Sequence, residues 1–373
     1  MITLTYSVAG VISYFLDRSR DQFLLIRVPM LNIGRQEKMI GDRTVLSEKG
    51  LTFYDKSDRV ALFFVGNTEK RKNAIVMDIA LGCVSMTDKL ILGFISRMPG
   101  FSPTVTKVFE VCNRPETSSH DLNKVISLDP VLTGRVMKLV NSAYYSLGKE
   151  VTSLIHAIIL LGLNTVKNLA LSTAVLESIG GMNSFRSLSM DDFWVHSLGV
   201  GVLARSFARQ TGIPVTEQEE YFVAGLLHDL GKIPLNHCYP EKYNGALEAV
   251  ATSRVSLHEA EKMVFGFDHC AVGGLIAEKW RLHRNFSDVC RYHHDLERGG
   301  SVNRHFVNIV SLANCYANHW NIGSAGDAPP KAAVMEHLQK MVGLDPARIA
   351  AIRENVLEDI ENARIFLQVA TEG

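Results

Sequence analysis

The stretch that decides the reading is Ala224-Gly225-Leu226-Leu227-His228-Asp229-Leu230-Gly231-Lys232. An apolar run of helical character ends on an imidazole beside a carboxylate, and a glycine and a lysine follow. Gly231 is expected to take the left-handed conformation that commonly closes a helix. His228 offers a ring nitrogen and Asp229 a carboxylate able to bridge two cations, a pair suited to a divalent transition metal. Lys232 stands where it would meet an anionic group beside that metal; the blander reading is a cation satisfying the helix C-terminus. Asp229 and Lys232 are therefore the candidate catalytic pair.

A His-Asp step alone says little, and the histidines on either side make it specific. Upstream, Asp191 or Asp192 is expected to cap a helix whose apolar face carries His196 with Val200, Leu203 and Phe207. Downstream, Asp268 caps a helix with His269 in its first turn, and Gly273, Ile276, Ala277 and Trp280 share its face. Gly273 and Gly274 would permit close helix packing. Ser287 is expected to cap the next helix, which leads through Val289 and Cys290 to His293-His294. Neighbouring residues on a helix point about 100° apart, yet at a helix end both can reach a site lying between them. Phe306, Val310, Ala313 and Ala317 then form a face that turns Asn314 towards the same interior. Singly, each histidine is more often a hydrogen-bonded core residue than a ligand. As an ordered set standing at helical places around His228 and Asp229, they point to a shared metal site. His156, His237, His258, His283, His305, His319 and His337 match no position of that set and read as surface or packing residues, and His120 as a loop residue.

Before this half, helical periodicity begins at Met86. Leu90, Ile91, Phe94 and Ile95 make one face before Pro99 and Pro103 interrupt the chain. Asp129-Pro130 starts a helix, with the acid as N-cap and proline at the first helical position. Leu132, Val136, Leu139, Val140 and Ala143 line its face. Another helix runs over 153–163, with Gly162 at its end, and Asn164 can open the next. Asn141 and Ser142 are polar groups at a helix end, expected to bond to neighbouring backbone.

The pieces Met98-Pro99, Ile126-Ser127-Leu128-Asp129-Pro130-Val131-Leu132, Val140-Asn141-Ser142-Ala143-Tyr144-Tyr145 and Ala157-Ile158-Ile159-Leu160-Leu161-Gly162 stand in the order that resembles the HDOD domain. The second half resembles the wider HD superfamily, whose cyclic-dinucleotide phosphodiesterases order a histidine, a His-Asp pair with Gly-Lys, a histidine, a His-His pair and an aspartate. The resemblance implies an all-α HD-superfamily helical bundle in two lobes, acting as an output module in bacterial signal transduction. It implies a divalent transition metal (iron, manganese or zinc) with His196, His228, Asp229, His269, His293 and His294 as its ligands, and a two-metal site is open. Two departures count against turnover. Asn314 stands where an aspartate is expected, and Asp295-Leu296-Glu297-Arg298-Gly299-Gly300 replaces a Gly-Tyr-Pro signature. In a hydrolase, bridged metals supply a hydroxide at neutral pH and stabilise charge on the transferring phosphoryl group. Without one carboxylate the site would be more positive, binding a nucleotide or phosphate but turning it over poorly. The first expectation is thus a signalling module that holds metal, with room for a nucleotide or phosphate ligand, and addresses a protein partner. The alternatives are a phosphohydrolase acting on nucleotides or cyclic dinucleotides, and a metal-free helical scaffold.

The whole chain has 373 residues, 47% of them hydrophobic, with a formal net charge of +0. Balanced charge gives no ground for DNA or a membrane surface as partner. The six cysteines form no CxxC and read as reduced thiols of a cytoplasmic protein. No apolar run is long enough to span a bilayer. Residues 1–85 read as a small β-containing module of unknown role. Met86 opens the resembling segment, so those residues could extend upstream of the true start, which N-terminal sequencing would decide. Residues 86–185 form the front helical lobe, 186–320 the histidine-bearing lobe, and 321–373 C-terminal helices. Ala325 to Pro330 reads as an exposed loop, and an outer face of the last helices is free to meet a partner or a second copy of the chain.

Overall fold

Asp129 accepts a hydrogen bond from Leu132 N at 2.9 Å and Pro130 occupies the first turn, so the helix starts where the sequence predicts. The same logic holds at Asp88, Ser153, Asp268 and Asp345, each of which caps a helix through its side chain. The computed structural model describes backbone strands between residues 3 and 80, and side chains at 88–112, 114, 116–179, 187–253, 255–295 and 303–369. The chain divides into two units, Met1–Cys83 and Val84–Gly373.

In the first unit the strands are β1 (Thr3–Tyr6), β2 (Ile12–Asp17), β3 (Gln22–Phe23), β4 (Lys38–Ile40), β5 (Arg43–Val45), β6 (Leu51–Tyr54), β7 (Arg59–Phe63) and β8 (Met77–Ala80). They pair antiparallel as β1-β2-β3, β4-β5 and β6-β7-β8. The second unit is all-α among its described residues. Its front lobe holds α1 (Lys89–Arg97), α2 (Pro103–Cys112), α3 (Ser119–Ile126), α4 (Pro130–Val140), α5 (Leu154–Leu161) and α6 (Leu163–Gly180). The histidine lobe holds α7 (Met190–Gln210), α8 (Val215–Leu227), α9 (Lys232–Cys238), α10 (Pro240–Ser253), α11 (Leu257–Phe265), α12 (His269–Lys279), α13 (Arg284–Tyr292) and α14 (Arg304–His319). Last come α15 (Ala332–Val342), α16 (Pro346–Ala351), α17 (Arg353–Ala363) and α18 (Ile365–Thr371).

One hydrophobic core runs through both lobes. Phe222 of α8 shows how they join: its ring lies 5.4 Å from that of Tyr144 after α4 and 4.8 Å from that of Phe366 in α18. Phe222 is fully buried, and truncating such a residue to alanine costs about 3–5 kcal/mol. Polar contacts reinforce the junction. Tyr145 Oη donates to Glu219 of α8 at 2.9 Å, while Arg205 of α7 lies 3.6 Å from that carboxylate and 4.7 Å from the centre of the Tyr144 ring. At the far side, Lys279 Nζ donates to the carbonyls of Ile95, Ser96 and Met98, and Trp280 Nε1 to that of Pro99. The end of α12 thus fastens the end of α1.

Several local expectations change. Ser189, not Asp191 or Asp192, caps α7, and the two acids sit in its first turn, where they complement the helix dipole. His283, not Ser287, caps α13, which begins earlier than expected. His120 lies in α3, whose capping box is built from Ser118 and Asp121. Asn141 does bond to backbone, but across the turn: its amide exchanges two hydrogen bonds with Val151, at 2.8 and 2.9 Å, while Ser142 bonds locally to Leu139 O. Ala325 to Pro330 is a loop, half-exposed for most of its length and exposed at Pro329, but not at its start. Ala325 is fully buried and the Asp327 side chain is 6% exposed, because both are drawn onto Lys232. Among the described residues no single helix is long and apolar enough to cross a membrane; α5 and α6 qualify only as a pair bent by 115°.

Candidate metal centre

Two glycines set the spacing of the first ligands. A Cβ on Gly225 of α8 would lie 2.6 Å from Gly201 of α7, so these helices touch backbone to backbone. That contact brings His196 of α7 and His228, just past α8, to a ring separation of 5.6 Å. Gly231 works the same way towards α12. Its φ is −66°, so it is not the left-handed cap expected of it. Glycine is required there because a Cβ would lie 1.9 Å from His269 O and 2.6 Å from Gly273 N. The chain therefore turns directly against the start of α12 and carries Asp229 to His269.

Asp229 is the centre of the arrangement. His228 Nε2 and His196 Nε2 lie 3.2 and 4.0 Å from Oδ2; His269 Nε2 and His293 Nε2 lie 3.3 and 3.5 Å from Oδ1. All are buried, with exposures of 0% to 3%. Ligand atoms of Asp229, His269, His293 and His294 fall within 4.8 Å of one another, as do those of His196, His228 and Asp229. The structure thus brings together all six residues singled out as ligands, in two groups that share the aspartate.

The outer ring nitrogens explain how three imidazoles are aimed. His228 Nδ1 is 2.7 Å from Gly225 O, His293 Nδ1 is 2.9 Å from Val289 O, and His269 Nδ1 is 2.6 Å from Glu261 Oε2. Each acceptor receives a hydrogen bond from Nδ1–H, which turns Nε2 and its lone pair inwards, the usual support for a metal-binding histidine. His269 Nε2 and His293 Nε2 then stand 3.3 Å apart, a contact between lone pairs unless a proton or a cation lies there. Without a cation, a proton takes that place. Burial alone would lower the His293 pKa, but neighbouring Cys270 and Asp229 outweigh it and push it up to about 10. His269 is likewise raised well above the ordinary imidazole range, Glu261 outweighing burial. His196 goes the other way, down to about 4, through burial and the neighbouring His228.

Two residues of the site, Glu261 and Asp327, were missed by sequence reasoning. Glu261 of α11 accepts from both Nδ1 and the backbone N–H of His269 and is fully buried. The available signal was its helical position, four residues after Leu257 on the buried face of α11. His258, read from the sequence as a surface or packing residue, packs: it stacks on His294 with ring centres 4.4 Å apart and planes 15° apart. Asp327 had no signal in the pattern around it. Its carboxylate lies 2.5 Å from Lys232 Nζ, which also contacts Asp229 Oδ2 at 2.7 Å and donates to Ala325 O at 3.1 Å. Lys232 is fully buried in this ring of acceptors. Asn314 sits beside His196, its Oδ1 3.1 Å from Nε2, and takes a second bond from Asn318. Residues 296–300, where the Gly-Tyr-Pro signature would fall, lie outside the described residues. Two clefts, of about 430 and 500 Å³, open around Arg114 and Thr117, and neither is lined by the histidines.

The donor chemistry fits a divalent metal. Nitrogen-rich donors with one carboxylate are a ligand set able to hold a divalent transition metal. His228 Nε2 and His294 Nε2 are enclosed without a hydrogen-bond partner, and so is Asp229 Oδ1, while Oδ2 pairs with Lys232. Enclosed polar atoms left open in this way are costly to a fold unless something ligates them.

The HDOD domain pattern matches residues 98–296 of the chain. A crystal structure of an HDOD domain protein of unknown function from Geobacter sulfurreducens is 25% identical, with a TM-score of 0.61 over 74% of this chain and 97% of that one. A protein of Shewanella amazonensis described as a candidate phosphohydrolase is 18% identical, with a TM-score of 0.57 over 76% of this chain and 98% of that one. A candidate signal transduction protein of Marinobacter aquaeolei is 16% identical, with a TM-score of 0.59 over 87% of this chain and 77% of that one. An uncharacterised protein of Treponema pallidum is 25% identical over 235 residues, or 62% of this chain, and the match spans less than half (44%) of that relative's length.

Proposed function

Because the chain belongs to the HDOD domain family, we propose that it is a signalling output module whose buried histidine-aspartate centre holds a divalent transition metal and which acts through a protein partner rather than by turnover. The observation that carries this reading is the aiming of His228, His269 and His293. Three outer nitrogens bound to separate acceptors direct three inner lone pairs at one carboxylate. His196, His294 and Asp229 complete the candidate ligand set.

A bound divalent metal would supply Lewis acidity, which in an open site activates water against phosphorus. The chain's own groups argue against such use. Asn314 gives no negative charge where a further carboxylate would stand, and it is already bonded to His196 and Asn318. Lys232, the cation that would receive a phosphate oxygen, is held by Asp229 and Asp327. His196, His228, Asp229, His269 and His293 are buried. The junction of Tyr145, Glu219 and Arg205 gives a physical link between the centre's helices, α7 and α8, and the front lobe that would meet a partner.

Elemental analysis of freshly purified protein tests the reading first. It expects roughly one or two equivalents of iron, manganese or zinc, by the two overlapping ligand groups. Metal-loaded protein is then offered a panel of phosphodiesters, including cyclic dinucleotides. Absence of metal overturns the proposal in favour of a plain helical scaffold, and turnover with any of these metals overturns it in favour of a hydrolase.

A further inference from the structure

Lys232 has no seat left for a ligand. Its ammonium is fully buried and meets the carboxylates of Asp229 and Asp327 and the carbonyl of Ala325. Two of these three contacts come from the segment that follows α14, far from the lysine in sequence. That segment is tied down at both ends. Ser324 N donates to Asp192 O at 3.0 Å, and Gly323, with φ +58°, is so close to α7 that a Cβ would lie 2.4 Å from His196 N. At Gly326, with φ +87°, a Cβ would lie 2.7 Å from the Leu247 side chain of α10. Residues 323–327 therefore form a strap from the His196 helix across the lysine.

We propose that Asp327 is the specificity-determining residue of this centre: its carboxylate fills the seat on Lys232 that a phosphate group would need, so the site accepts a cation and excludes phosphate-bearing ligands while the strap is down. The proposal deepens, and rests on, the reading of the centre as a metal site without turnover. Charge supports it. Three buried carboxylates, Asp229, Glu261 and Asp327, face one ammonium, Lys232, and with neutral imidazoles the excess of two negative charges matches one divalent cation. A phosphate arriving with Asp327 in place would add negative charge with no cation to receive it, at high cost in a dry interior. If Asp327 leaves, Lys232 keeps Asp229 but has a donor to spare, and the metal-loaded centre carries one net positive charge that a phosphate group balances. Asp327 also restores at the centre a negative charge that Asn314 does not supply.

The test is binding of pyrophosphate to the full-length protein, by calorimetry, alongside metal content. Asp327→Asn keeps the size of the side chain and removes its charge; it is expected to bind pyrophosphate at least about ten-fold more tightly than the unaltered protein. Adding Lys232→Gln to that variant is expected to abolish the gain. Should Asp327→Asn not fold, Gly326→Ala shifts the strap by crowding Leu247 without touching any charge, and is expected to give a gain in the same direction. Folded Asp327→Asn or Gly326→Ala protein that binds pyrophosphate no better than the unaltered protein overturns the proposal, as does a gain that survives Lys232→Gln. Metal content is read separately: a protein without metal whose Asp327→Asn form still gains pyrophosphate binding through Lys232 defeats the metal reading and leaves the strap standing.

Discussion

Gly231→Ala puts the geometry of the centre to its hardest test. The added Cβ would sit 1.9 Å from His269 O, whereas ordinary contacts begin at 3.4 Å, so the turn after Asp229 and the start of α12 must part by about 1.5 Å. Both neighbours are backbone, His269 O and Gly273 N, and no side chain can swing away to make room. Overpacking of this kind costs about 1–3 kcal/mol, and the rigid surroundings place it at the upper end. For a unit of this size about 3 kcal/mol lowers Tm by roughly 6–12 °C. The effect on the ligands is larger in proportion. Asp229 Oδ1 and His269 Nε2 are 3.3 Å apart, and metal sites tolerate errors of only about 0.2 Å in ligand position. Far-UV circular dichroism with thermal melting and elemental analysis on the same sample read both consequences. A variant that melts within about 2 °C of the unaltered protein and keeps its full metal would refute the argument that this glycine exists to bring Asp229 to His269.

Asp229→Ala removes the carboxylate common to both ligand groups and is expected to take metal content to near zero; retention of half or more would contradict the arrangement. Glu261→Gln keeps an acceptor near His269 Nδ1 but loses the charge, and metal affinity measured against a competing chelator is expected to fall by roughly 10- to 100-fold. The metal-stripped protein should melt highest near pH 6–7, between two opposing linkages. His293, raised from 6.5 to about 10, contributes stability that is full below the unfolded value and lost as pH rises through the folded one; His196, lowered from 6.5 to about 4, contributes stability present above the unfolded value and lost as pH falls through the folded one. Melting temperatures from pH 4 to 10 with and without chelator check this, and metal should flatten the alkaline limb. Phe222→Ala, at the junction of the lobes, is expected to cost about 3–5 kcal/mol in urea unfolding, and a loss below about 1 kcal/mol would mean that the core is not shared.

The helical architecture could be read before any coordinates, because it rests on local rules. Asp129-Pro130, Asp268 and Asp345-Pro346 cap helices by their own chemistry, and the periodic apolar faces follow. The order of His196, His228, Asp229, His269 and His293-His294 was equally plain, since each stands at a helix end or on an apolar face. What could not be read is whatever depends on the approach of distant elements. Gly231 looked like a cap because a glycine after a helix usually is one; only the arrival of α12 reveals a different reason. Ser189 and the two acids beside it compete for one cap, and sequence offers no ruling. Asp327 stands 95 positions from its lysine in a stretch of Gly, Ala and Pro, so nothing local distinguishes it from any loop acid. Glu261 was more nearly within reach, since an acid on the buried stripe of a helix already asks for a partner.

Helix α12 bears a ring donor on its first residue and, one helix length away, the lysine and tryptophan that rivet the front lobe. These two duties use opposite tips of one rigid rod. A descendant chain that trades His269 for an inert side chain would still be bolted together by Lys279 and Trp280, so architecture and inorganic chemistry are inherited separately. Across such lineages, survival of the bundle is no guide to survival of the ion, and each chain has to be judged by the atoms at the first tip.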